Sequence, residues 1–385
     1  MGQNSLKANV WDAGLCTGCG ACVGLCPYQG FWEDGVRQVF SCGLSNDEGR
    51  CSAYCPRWNL RLSEIYGPPS NKGGSTPELG RIRGYRLARA SDPMLRAKAQ
   101  HGGTLSVLLA MALAQGFADV AVVAGKKESL AMTPALVSSP KEVISYAGST
   151  LFVSPNVSGY HAARKAGFKR IGVVATPCQA QALAKIRSVS GRFEDHPGDA
   201  LSLVLGVFCG WTLSLRPFKE RLKELGVGRL VAMDIPAGKG TLEIIGDSGL
   251  AELPFDGFEP MIREACAFCL DTTAELADIS VGSARTNEPW EEMRTWNQVL
   301  IRSERGEALF SQAVELGVLE VREAPRGALE ALKVAARAKK QKAIRALRQK
   351  TGPGPKLGYL DIQDPFLPKF LEAIETEGGS HEGAH

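Results

Sequence analysis

Seven cysteines fall within the first fifty-five residues: Cys16, Cys19, Cys22 and Cys26-Pro27, then Cys42, Cys51 and Cys55-Pro56. Thiols this dense serve as ligands or as disulfide partners. A C-x2-C-x2-C-x3-C-P run places three thiolates around one iron–sulfur cubane, while its fourth cysteine reaches toward a neighbouring cluster. Zinc needs only four ligands, usually as widely separated C-x2-C pairs, and has no use for a proline after each run. A disulfide framework is disfavoured, because the opening segment MGQNSLKANVWDAG has no apolar core of the secretory kind. A reducing interior is therefore expected, and iron–sulfur clusters are the expected occupants.

The second run is incomplete. A full two-cluster pattern would read C-x2-C-x8-C-x3-C-P there; Cys42, Cys51 and Cys55 fill its last three positions and Val39 stands at the first. By the usual crossed ligation, Cys16, Cys19, Cys22 and Cys55 hold one cubane, which leaves Cys26, Cys42 and Cys51 for the other. Three thiolates suit a 3Fe-4S cluster, or a 4Fe-4S cluster with a non-cysteine ligand, for which Asp34, Asp47 and Glu48 are near in sequence. The alternative is a single cubane with structural cysteines; two N-terminal clusters are preferred.

Four more cysteines lie downstream. Cys178 and Cys209 stand just beyond two apolar, strand-like runs, IGVVA and LSLVLGVF, and Cys266 and Cys269 form a C-x2-C pair. Singly, such thiols are usually small buried hydrophobes. Open α/β sheets, however, gather ligands at the carboxyl ends of their strands, and four thiols equal the needs of one further cubane.

The elements that must hold these residues are legible in outline. Residues 1–66 form the cysteine-rich, ferredoxin-like domain, and 67–80, GPPSNKGGSTPELG, is a Gly/Pro/Ser linker. Beyond it helices and strands alternate. Helices are expected over 93–115, 159–165 and 180–187, and strands over 119–124, 170–175 and 201–208. This is an α/β (α+β) catalytic region, divided into 81–165 and 166–350, with a tail over 351–385. The stretch 104–124 is the most apolar, but Gln115, Gly116 and Asp119 break it, so it reads as buried helix and strand, not as a membrane span.

Composition adds little specificity. A hydrophobic share of 44% in 385 residues is ordinary for a globular chain. The formal charge of +4 and pI near 8.4 omit thiolate and cofactor-phosphate charge, so they do not favour nucleic acid. Aromatic and basic residues are not interleaved as in single-strand binders.

From Gly84 onward the chain resembles the coenzyme F-420 hydrogenase/dehydrogenase β-subunit family of flavin and iron–sulfur proteins. The resemblance is carried by GYRLARASDPMLRAKAQHGG, AGSTLFVSPN, IGVVATPCQAQAL and CAFCLDTTAELADISVGS. It implies an FAD beside a 4Fe-4S cluster held by Cys178, Cys209, Cys266 and Cys269. The residues it points to along the flavin are His101, Gly102, Gly103, Thr104, Ser149, Thr150, Ser154, Asn156, Thr176, Pro177, Gln179, Gly282 and Ser283. The Gly pair would let backbone approach a pyrophosphate at a helix start, with Thr104 a candidate N-cap, although the family usually has an acidic residue where His101 stands. Ser-Pro-Asn is also ordinary turn chemistry. Asp271 is expected to cap a turn, and Asp278 has no evident acid–base task. The stretch 328–350 reads as an amphipathic basic helix whose charged side is solvated, with an acidic partner or phosphates as the lesser option.

The expected function is that of an electron-transferring oxidoreductase subunit with FAD and about three clusters. It would exchange a hydride with a two-electron carrier of the F-420 type or NAD(P)H, and pass single electrons to partner subunits of a hydrogenase, dehydrogenase or disulfide-reductase-like complex. The expected place is the cytoplasm, with any membrane association made through a partner. The alternatives are a stand-alone ferredoxin-dependent reductase and a flavin-free relay subunit.

Overall fold

The structure, a computed structural model, describes residues 6–40, 42, 49–67, 74–125, 130–352 and 356–376. Its centre is an eight-stranded sheet of β1 (Gly84–Ala90), β2 (Val120–Gly125), β3 (Thr133–Val137), β4 (Ile171–Ala175), β5 (Leu201–Val207), β6 (Ile279–Ser283), β7 (Asn297–Ile301) and β8 (Leu319–Arg322). The spatial order is β8-β1-β7-β6-β5-β4-β2-β3. β6, β5, β4 and β2 run parallel, and the flanking pairs are antiparallel. VAVVAG, IGVVA and LSLVLGV are near-continuous apolar runs because parallel strands are covered on both faces.

Alternation along each strand feeds two layers. Leu203 and Leu205 face a core with Leu108, Leu109 and Leu309, from α1 (Thr104–Ala114) and the helix Glu304–Glu315. Val204 faces the opposite core, with Val157, Tyr160, Leu183 and Ile186 from α2 (Asn156–Lys165) and α3 (Pro177–Ser188). The helix expected over 93–115 is two helices, Pro93–Lys98 and α1. Gly103 takes a left-handed φ of 74° between them, a conformation that glycine adopts at little cost. A three-stranded sheet, Leu230–Asp234, Thr241–Gly246 and Gly249–Pro254, forms a further unit with its own apolar core around Phe218, Leu242 and Ile244.

The cysteine-rich segment packs into cores shared with the rest of the chain. Cys19, Ala21 and Tyr54 enter the layer of α2 and α3. Leu6, Val10, Leu15 and Leu60 pack with α4 (Ala328–Thr351) and α5 (Leu367–Glu375). Residues 351–385, expected as a tail, thus contribute a helix that covers the N-terminal segment. Of the expected linker, residues 68–73 lie outside the described residues, and Ser75–Thr76 pairs with Gly80–Arg81. Among the described residues no helix is long and apolar enough to cross a membrane.

Candidate electron-transfer centre

Ten of the eleven cysteines sort into three neighbouring groups. Cys16, Cys19, Cys22 and Cys55 line one small hollow, together with Val10, Val36, Pro56 and Arg57 among others. Cys55 comes from the end of the short helix Arg50–Tyr54, so the fourth thiol is folded back from the second run. Burial pushes the Cys19 and Cys22 thiols well up, and their thiol neighbours push further. Burial lifts Cys55 to about 11, against the Arg57 N–H and Lys185, which favour its thiolate. Four such sulfurs become anionic together only around a cationic centre. The ring of four thiols around a hollow fits the cluster that the cysteine pattern points to.

Cys26 and Cys51 are electrostatic neighbours of each other, and Cys51 also faces Cys22 of the first group. Cys42 is exposed. Of the carboxylates considered for a missing ligand, Asp34 is engaged elsewhere: it accepts from the Leu215 N–H at 2.9 Å and pairs with Arg263 at 3.1 Å. Asp47 and Glu48 lie outside the described residues.

The third group sits at the carboxyl edge of the sheet. Cys178 occupies the first turn of α3, immediately after β4, and Cys209 follows β5. Cys266 and Cys269 lie on the turn Glu264–Phe268 and at its end. Cys209 faces Cys266, Cys178 and Cys269, and burial raises its proton affinity strongly, with Lys339 opposing. Burial would also push Cys269 up, yet Lys339 and Arg57 hold it below the ordinary thiol value. Lys339 is the anchor here: its Nζ donates to the Cys209 carbonyl at 2.7 Å and the Asp271 carbonyl at 2.9 Å. Asp271 accepts the Thr273 and Glu275 N–H groups, the capping role expected of it. Asp278 is likewise structural, accepting from Val204 N and Ser303 Oγ.

α4 departs from the solvated basic helix expected of it. Lys340 is 1% exposed and pairs with Glu275 at 2.5 Å. Ala336, Ala343, Ile344 and Leu347 are buried beside it.

The thirteen non-cysteine positions singled out in sequence form two polar networks and an outer rim. In the first, Ser154 Oγ donates to Asn156 Oδ1 at 2.7 Å and Asn156 Nδ2 to the Val174 carbonyl at 2.8 Å. Gln179 Nε2 donates to the Ser154 carbonyl at 2.5 Å, while its Oε1 accepts the Thr176 N–H. Thr176 Oγ1 lies 3.3 Å from Cys178 Sγ, and Pro177 opens α3 between them. This network fixes the Cys178 loop.

The second network turns on Asn297. Its Oδ1 accepts the Thr104 N–H at 3.2 Å and its Nδ2 donates to the Gly282 carbonyl at 3.2 Å, which ties the start of α1 to the end of β6. Thr104 is fully buried and donates to the Ala88 carbonyl; the residue at the N-cap is Gly103. A Cβ on Gly102 would stand 2.6 Å from Asn297 Oδ1, and Phe208 packs against Gly282, so both glycines are set by close packing. Ser283 offers its carbonyl to Gln298 at 2.8 Å. On the outer rim, His101 contacts the Arg294 carbonyl and stacks edge-on with Trp290. Ser149 is exposed, and half-buried Thr150 accepts the Phe152 N–H.

Residues 85–159 and 168–326 match the family models described as coenzyme F420 hydrogenase/dehydrogenase, beta subunit N-term and C terminus, and residues 9–30 match a 4Fe-4S binding domain. The coenzyme F420 hydrogenase subunit beta of Methanococcus voltae is 32% identical over 239 residues, which are 61% of this chain and 82% of that one. This chain belongs to the coenzyme F420 hydrogenase/dehydrogenase β-subunit family. A component of the F(420)H(2) dehydrogenase of Methanosarcina mazei matches a longer span, 332 residues at 27% identity, 84% of this chain and 88% of that one. In structure, a chain of the F420-reducing [NiFe] hydrogenase complex from Methanosarcina barkeri superposes with a TM-score of 0.65 at 27% identity, over 76% of this chain and 99% of that one.

Within this family of oxidoreductases, the chain has a 4Fe-4S segment in front of the region matched by the two family models, and side chains hydrogen-bond across the seam between the two. Arg263 donates to the Asp34 carbonyl at 2.6 Å and to the Cys16 carbonyl at 3.1 Å. Lys185, from α3, donates to the Cys55 and Trp58 carbonyls at 3.0 and 2.7 Å. The Thr17 hydroxyl favours the Cys178 thiolate, and Cys178 in turn raises Cys19. Sequence reading missed Arg57, Lys185, Arg263, Asn297 and Lys339. Each acts on a residue distant in the chain, and no local spacing marks such a partner.

Proposed function

We propose that the chain is an electron-transferring flavo-iron–sulfur subunit. It would exchange a hydride between FAD and a two-electron carrier, of the coenzyme F420 type or NAD(P)H, and pass single electrons to a partner oxidoreductase subunit. The observation that carries this reading is the unbroken succession of thiol groups. Cys178 belongs to the strand-end group and faces Cys19; Cys22 of the same hollow faces Cys51, which pairs with Cys26. Three clusters held there would lie in file from the sheet edge to the side of Cys26 and Cys51.

A bound FAD supplies the two-electron to one-electron conversion that such a file needs at one end. The residues at the carboxyl edge suit a dinucleotide in two tiers. Ser154, Asn156, Gln179 and Thr104 spend their polar atoms internally and shape the wall, whereas Ser149 and Thr150 keep accessible edges and, with the largely buried His101, are assigned to contact. Thr176 borders the cluster side at Cys178, and Ser283 ends β6 at the same edge of the sheet. The relatives' names supply the carrier and the multi-subunit setting as candidates: components of a hydrogenase, a formate dehydrogenase and an F(420)H(2) dehydrogenase occur among them.

Anaerobic analysis of iron, acid-labile sulfide and extractable flavin per chain tests the proposal, with reduction by F420H2 and by NADH followed on the flavin band. About twelve irons and one FAD are expected for three cubanes, with bleaching by one donor naming the carrier. Four to eight irons, about one or two cubanes' worth, without flavin would leave a relay subunit instead.

A further inference from the structure

Arg57 is the largest fully buried side chain of the described residues, 1% exposed. A buried cation ordinarily has a carboxylate partner, and Arg57 pairs with none among the described residues. Nη1 donates to Gln181 Oε1 at 3.3 Å, and the guanidinium lies 4.3 Å over the Tyr359 ring. Nε and Nη2 are buried with no oxygen or nitrogen partner among the described residues. Burial opposes the charge, while Tyr359 and the thiols of Cys269 and Cys178 favour it, the side chain turning toward the Cys269 sulfur. The same residue lines the hollow of Cys16, Cys19, Cys22 and Cys55, and its backbone N–H points to Cys55. One guanidinium therefore stands between two thiol groups.

We propose that Arg57 is a shared positive charge and hydrogen-bond donor that raises the reduction potentials of both flanking clusters together, so that neither is raised at the expense of the other. The step it serves is a one-electron transfer: one cluster is oxidised, its neighbour reduced, and no bond is made or broken. Each cluster gains negative charge on reduction, so a cation within reach of both stabilises both reduced forms, and N–H groups directed at cluster or cysteine sulfur act in the same sense. Arg57 is a positioning residue by this account, and its effect is on potential. The inference rests on the assignment of clusters to these two groups.

The test is a potentiometric EPR titration of the anaerobic holoprotein as wild type, Arg57→Met and Arg57→Lys. Iron and sulfide are counted first: fewer than about eight irons in the wild type would defeat the cluster assignment itself. With iron retained, R57M should lower both midpoints by at least tenfold in reduced-to-oxidised ratio, about 59 mV for one electron, and R57K should restore at least half of each shift. Unchanged midpoints in R57M, or a shift confined to one cluster, would overturn the proposal. Should R57M lose iron, wild type and R57K grown on guanidino-15N arginine decide it. A nitrogen coupling to each reduced cluster should be present in the wild type and absent from R57K, and identical spectra would overturn it.

Discussion

Cys19 and Cys178 meet across the seam between the cysteine-rich segment and the central sheet, each within the other's electric field. The backbone holds them there. Val157 N, at the start of α2, donates to the Cys19 carbonyl at 3.2 Å, and a Cβ on Gly20 would stand 2.5 Å from the Pro155 carbonyl oxygen, so only glycine allows the approach. The proposed electron path therefore crosses from the central sheet to the cysteine-rich segment at this seam.

Cys19→Ser tests that path at its middle. The variant should bind about four irons fewer than wild type, the content of one cubane, while the Cys178 group keeps its own cluster. Reduction by the two-electron carrier should persist, and transfer onward to a one-electron acceptor should stop. Iron per chain and acceptor reduction are read on the same preparation; full iron in the variant would remove Cys19 from the ligand set.

Lys339 offers a contrast to Arg57. Among the described residues it hydrogen-bonds at the strand-end group, through the Cys209 and Asp271 carbonyls, and its charge favours the thiolates of Cys209 and Cys269. Lys339→Met should lower the midpoint of that cluster alone, on the order of tenfold in reduced-to-oxidised ratio, about 59 mV. The cluster of Cys16, Cys19, Cys22 and Cys55 should not move. Separate EPR midpoints check this directly.

Arg263 is the clamp of the seam. Its guanidinium reaches Asp34 and the Cys16 carbonyl, while its own carbonyl accepts the Cys266 N–H at 2.9 Å. Truncation leaves the Asp34 carboxylate without its cation, so Arg263→Met should cost about 2 kcal/mol, within the range for hydrogen bonds to charged groups. The expected signature is faster amide exchange over residues 9–40 than over β4 and β5. Uniform acceleration would mean a general loss of stability instead.

What was legible in the sequence is what local spacing encodes. The cysteine runs, the apolar strands ending at Cys178 and Cys209, and the capping role of Asp271 all depend on residues a few positions apart. Folding adds the partners that spacing cannot name. α4 shows the difference: its lysines alternate as on a solvated helix, yet Lys340 is buried against Glu275 because Glu275 is delivered by the loop after Cys269. Likewise Asn297 joins the Gly102-Gly103 turn to Gly282, residues that the sequence offered separately. Ser154, Asn156 and Gln179 showed the right chemistry for cofactor contact, but their hydrogen bonds turn inward, which only the three-dimensional register of β4 and α3 determines.

His161 gives the seam a pH dependence. Its Nε2–H donates to the Ala21 carbonyl at 2.9 Å, the ring stacks on Tyr54, and Nδ1 is buried without a partner among the described residues. A second proton would sit on Nδ1 with no acceptor, and burial accordingly lowers the pKa from 6.5 to about 4. The unfolded chain takes up this proton at higher pH than the folded one, so the contribution to stability is complete above pH 6.5 and is lost as the pH falls from 6.5 to 4. The difference of about 2.5 units sets an upper limit of about 3 kcal/mol. His161→Gln keeps a donor for Ala21 and does not titrate, so its stability should fall less steeply over this window than that of wild type. Cluster loss in acid affects both proteins alike, and the difference between their unfolding midpoints from about pH 7 to about pH 4.5 isolates the histidine. Parallel curves would show that His161 is not the group that titrates.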